Sequence, residues 1–64
     1  MELRIENMTC GGCAKSVTNA IQSVDTTARV ETNPEARAVK VETTASAGAI
    51  QQVLEEAGYP ATVN

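Results

Sequence analysis

The stretch ELRIENMTCGGCAKSVTNAIQSV, residues 2–24, decides the architecture, because its hydrophobic period changes once, at a pair of glycines. At its start Leu3 and Ile5 alternate with Glu2, Arg4 and Glu6, the period of two of a strand with one buried face. NMTCGGC then breaks the pattern, and Gly11 with Gly12 reads as a loop. From Cys13 onward Ala14, Val17, Ile21 and Val24 recur at intervals of three and four. They form the apolar stripe of an amphipathic helix, with Lys15, Ser16, Asn19 and Gln22 off it. Strand, cysteine loop and helix therefore follow in order.

The remainder repeats this logic. ARVET, residues 28–32, alternates again, with Ala28 and Val30 on one face and Arg29 and Glu31 on the other. NPEAR is a turn in composition, and Pro34 blocks a helix or central strand. AVKVE, residues 38–42, turns Val39 and Val41 inward, so the two strands read as a hairpin. Ser46 is a suitable N-cap for a second helix, whose stripe is Ile50, Val53, Leu54 and Ala57. Gly58 suits the left-handed residue that ends it, and Pro60 prevents continuation. ATV, residues 61–63, reads as a short last strand with Ala61 and Val63 inward.

The order is β-α-β-β-α-β. Its economical packing is an α+β, ferredoxin-like fold: one four-stranded antiparallel sheet with both helices on one face. The polar residues on each strand then line a solvated sheet face. Sixty-four residues make one domain, 1–64, without a second core. That core must be aliphatic, since Tyr59 is the only aromatic residue.

Net charge is −3 and the lysines and arginines are scattered singly, so no basic footprint points to nucleic acid. No apolar run approaches the roughly 20 residues of a membrane span, which argues against membrane insertion. MELRIENM lacks the layout of a signal peptide, and the expected location is cytoplasmic. In that compartment thiols stay reduced, which weakens a structural disulfide between Cys10 and Cys13.

A CxxC spacing by itself fits metal binding, redox chemistry or inert thiols. Closed zinc sites want four Cys or His ligands, and this chain has two Cys and no His. Haem attachment would need His after the second cysteine, where Ala14 stands. Thiol–disulfide exchange also places CxxC at a helix N-terminus, where the dipole lowers thiol pKa, and a small dithiol–disulfide oxidoreductase stays open. So does a soft monovalent ion. Thiolates select Cu(I), two sulfurs satisfy it, and the glycines let the loop bend around it. The helix start favours the resulting negative charge.

MTCGGC, followed by an amphipathic helix in a βαββαβ chain of this length, resembles the heavy-metal-associated domain, most closely its small soluble bacterial copper chaperones. The resemblance covers essentially the whole chain. It implies that Cys10 and Cys13 ligate Cu(I), and that Met8 packs beneath the loop without ligating. It also implies that Tyr59, in AGYP, lies over the metal site from the opposing loop. Some relatives carry histidine there, so a third ligand from that loop is not expected. The implied function is non-enzymatic: a copper chaperone passing Cu(I) by thiolate exchange to the metal-binding domains of a copper-transporting P-type ATPase. An excised domain of such an ATPase is the companion reading. A partner would dock around Gly11, Gly12, Lys15 and Tyr59, and a copper-bridged homodimer is a further expectation. Thr9 reads as a turn residue able to donate to a thiolate. Softness alone leaves Ag(I) and Hg(II) open beside Cu(I).

Overall fold

The computed structural model describes residues 1–63; Asn64, the expected domain end, lies outside the described residues. The elements are β1 (Glu2–Arg4), α1 (Gly11–Val24), β2 (Arg29–Asn33), β3 (Ala38–Glu42), α2 (Ala47–Glu56) and β4 (Thr62–Val63). The sheet order is β2-β3-β1-β4, and every neighbouring pair is antiparallel. The expected fold is therefore the observed one. Leu3 at the centre of β1 faces Val39 of β3 on one side and Val63 of β4 on the other. Met1 extends this pairing, its carbonyl accepting from the Val41 N–H at 2.8 Å and its ammonium donating to the Val41 carbonyl at 3.1 Å.

The core lies between the sheet and the two helices. Leu3, Ile5, Met8, Val17, Ile21, Val39, Val41, Ile50 and Leu54 are buried in it, and no charged or polar side chain joins them among the described residues. Burial of this aliphatic set is the main favourable term in folding a chain this short. The opposite sheet face pairs charges across strands, with Glu2 and Glu31 both opposite Lys40, and Arg29 opposite Glu42. Such cross-strand pairs each contribute modestly.

Four expectations need correction. The first helix begins at Gly11, so the glycine pair is helical and does not form an open loop. First-turn N–H groups have no partner inside the helix, and here one of them is taken by the Cys10 sulfur. Val24 ends the helix and is 41% exposed, because the stripe runs out over the edge of the core. Ala57 is likewise an exposed cap residue, and Val63 of the two-residue edge strand is exposed while Ala61 is half-buried. Val30 and Val53, expected inward, are half-buried at the edge of the core, and the capping signals hold. Ser46 Oγ accepts from the Ala49 N–H at 3.2 Å, and Gly58 sits at φ +89°.

At the end of α1, Asp25 joins two connections. One carboxylate oxygen accepts from the Thr27 N–H at 3.0 Å and hydroxyl at 2.7 Å, and the other from the Thr43 hydroxyl at 2.7 Å. These bonds, that of Thr43 foremost, hold the Asp25 carboxyl down at about 2. A depressed folded-state pKa gives stability that is present above the unfolded value and lost as pH falls through the folded one. Unfolding midpoints measured from about pH 4 down to about pH 2 should therefore drop more steeply in wild type than in Asp25→Asn. Parallel profiles would remove this clasp from the account.

Candidate metal centre

The two cysteines meet where the extended chain turns into α1. Cys10 is the N-cap, with φ −148° and ψ 170°, and its carbonyl accepts from the Ala14 N–H at 3.0 Å. Its sulfur accepts from the Cys13 N–H at 3.4 Å. One turn of helix then carries Cys13 back over Cys10, leaving the sulfurs 3.1 Å apart. A Cβ on Gly12 would stand 3.9 Å from the Cys10 sulfur, an ordinary contact distance. Cys10 is exposed and Cys13 half-buried, and both are free thiols.

The surroundings favour negative charge on this pair. The Cys13 thiol is brought down to about 7, chiefly by the Cys10 side chain, then by the Tyr59 hydroxyl and the Thr9 N–H. The Tyr59 hydroxyl is pushed up in turn by the same neighbour. The tyrosine and the sulfur are close enough to influence one another. The N-terminal end of α1 adds its partial positive charge. Among the described residues no group of three or more His, Cys, Asp and Glu converges anywhere. What the geometry offers an ion is two sulfurs.

Met8 is fully buried beneath the loop, its N–H donating to the Ile5 carbonyl at 3.2 Å. Thr9, Gly11, Gly12 and Lys15 are exposed around the sulfurs, and Tyr59 is half-buried. The structure therefore brings Tyr59 to the cysteine pair and leaves Met8 in the core. It adds one residue that the sequence did not single out: the Asn7 amide donates to the Gly58 carbonyl at 3.3 Å, across 51 positions. No periodicity signals a contact between two loops so far apart in the chain.

The profile of the heavy-metal-associated domain matches residues 2–60. The chain belongs to that family. As a heavy-metal-associated domain it superposes on a crystal structure of a gold binding protein with a TM-score of 0.93. The identity is 46%, over 95% of this chain and 94% of the other. Atu1203 of Agrobacterium tumefaciens is 33% identical, with a TM-score of 0.85 and 94% of each chain covered. The copper chaperone Atx1 from Synechocystis PCC6803 has a TM-score of 0.93 at 24% identity, covering 97% of this chain and 98% of its own, a likeness of fold. No curated protein sequence matches the domain. None of its helices, among the described residues, is long and apolar enough to cross a membrane.

Proposed function

We propose that this heavy-metal-associated domain is a cytoplasmic carrier of Cu(I), held by the thiolates of Cys10 and Cys13 and handed to another CxxC domain by ligand exchange. The observation that carries this reading is the sulfur pair itself: 3.1 Å apart at a helix N-terminus, with no third ligand-type side chain converging among the described residues. A soft monovalent ion is content with two thiolates, whereas zinc wants four ligands. Two thiolates on Cu(I) leave a net negative site, which the start of α1 and the Thr9 N–H accommodate.

Exchange follows from the exposure of the site. A partner thiolate forms a new sulfur–copper bond, a three-coordinate species results, and one original sulfur–copper bond breaks. Cu(I) keeps its oxidation state throughout. Exposed Cys10 is the sulfur that an arriving thiolate meets first, and Gly11, Gly12 and Lys15 form the rim on which its domain rests. The acceptor we assign is a metal-binding domain of a copper-transporting P-type ATPase. A second copy of this chain, bridged by the ion, is the alternative occupant at high concentration.

The test is transfer. Copper-loaded protein is mixed anaerobically with an excess of such an apo CxxC domain, the two are separated, and the copper in each is measured over time. Associative exchange requires a transfer rate that rises with acceptor concentration. A rate independent of the acceptor, equal to spontaneous loss, would sink the mechanism. The 46% identity to a gold binding protein supports a second cargo, Au(I), another soft monovalent ion. Competition between the two ions for one protein sample decides which is held more tightly.

A further inference from the structure

The Gly58–Tyr59 peptide is one rigid plane that presents a carbonyl on one side and an N–H on the other. Its N–H, from Tyr59, donates to the Leu54 carbonyl at 2.8 Å and so fastens the plane to α2. Its carbonyl, from Gly58, accepts from the Asn7 side chain at 3.3 Å and so fastens the plane to the cysteine loop. No other hydrogen bond joins these two loops among the described residues. Gly58 sits at φ +89°, with nothing within 4 Å of the place a Cβ would take. The Gly58 N–H also donates to the Glu55 carbonyl at 3.0 Å, so on the α2 side the turn is held by backbone hydrogen bonds, and on the cysteine-loop side by the Asn7 amide. The plane also fixes the origin of the Tyr59 side chain, which reaches the core edge beside Cys13.

We propose that Asn7 is a positioning residue for the metal site: its amide latches the Tyr59 loop to the cysteine loop, and thereby sets how readily an incoming thiolate reaches the bound ion. The inference rests on the carrier reading above. With the amide removed, the Gly58–Tyr59 plane is fastened only to α2 and turns about Gly58, and the phenol ring swings away from the sulfurs. The ring then shields them less. Only a donor serves here, because the partner is a carbonyl. An aspartate at position 7 accepts and cannot donate, while a glutamine keeps the donor on a longer arm.

The protein contains no tryptophan and one tyrosine, so its intrinsic fluorescence reports Tyr59 alone. Collisional quenching by acrylamide, measured on the apo-protein, should increase in Asn7→Ala and in Asn7→Asp, and return toward wild type in Asn7→Gln. Release of Cu(I) to a dithiol chelator should accelerate about two- to tenfold in Asn7→Ala, the ratio that one net hydrogen bond supports. The same substitution in a Tyr59→Ala background should leave release unchanged, since the ring it positions is gone. A merely structural role for Asn7 would move both backgrounds equally and would not separate Asp from Gln. Equal acceleration in the two backgrounds overturns the proposal, as does quenching that does not respond to Asn7→Ala. Should wild type and Cys10→Ser/Cys13→Ser retain copper equally, the carrier reading itself fails and the release effect falls with it. Quenching of the apo-protein still judges the latch in that case.

Discussion

Replacing both Cys10 and Cys13 by serine should abolish retention of Cu(I) against a chromophoric chelator, while the folded domain survives. Serine keeps the size of the side chain but substitutes a hard, protonated oxygen for a soft thiolate. No other group of ligand-type side chains converges among the described residues to take over the ion. The loss should far exceed the roughly 10–100-fold that follows removal of a partner outside the ligand sphere. Circular dichroism should be nearly unchanged, because neither cysteine belongs to the fully buried core. Wild-type retention should also weaken as pH falls below about 7, where Cys13 binds a proton that competes with the metal. The cost is roughly tenfold per pH unit for that thiol. A double variant that still matches wild type in the titration would place the metal elsewhere.

The second large effect belongs to Met8, fully buried under the cysteine loop. Met8→Ala should cost about 2–5 kcal/mol, the range for deleting a large core side chain. A 64-residue domain has only about 3–10 kcal/mol of net stability, so the variant should lose a large share of it, read as a much lower midpoint in chemical denaturation. Met8→Leu conserves volume and should cost less than about 1.5 kcal/mol. It also removes the thioether, and that makes it diagnostic. Retention of Cu(I) by Met8→Leu at the wild-type level is expected of a core residue. A large loss of copper without loss of stability would instead make the Met8 sulfur a ligand.

Where the sequence is explicit, it is so because burial and period coincide. Leu3 with Ile5, Val17 with Ile21, Val39 with Val41 and Ile50 with Leu54 were all legible as core from alternation or helical spacing, and all are buried. Ser46 and Gly58 declared the ends of α2 through the chemistry of caps. The start of α1 was misjudged because Gly–Gly costs a helix interior about 1 kcal/mol per residue relative to alanine. In the first turn that argument weakens, since a capping sulfur holds the turn and Cys13 must be carried back over Cys10. Val24 and Val63 lie at the ends of elements, where the periodic pattern continues past the partner it needs. At the site, the CxxC pair was legible and the arrival of Tyr59 beside it came from family resemblance. The Asn7–Gly58 bond was invisible, because it depends on how two loops approach after both elements have packed.

The sulfur of Cys10 is at once the cap of α1 and half of the pair offered to an ion. The atom that would meet an ion therefore also takes up one of the first-turn N–H groups of the helix, while the buried aliphatic core includes neither cysteine. Small zinc modules that fold only around their metal tie loading to the gain of an entire structure. A domain whose aliphatic core is built without its cysteines divides the two tasks. On the carrier reading, filling and emptying would be local events at one turn of backbone, and the domain would be unloaded without being dismantled.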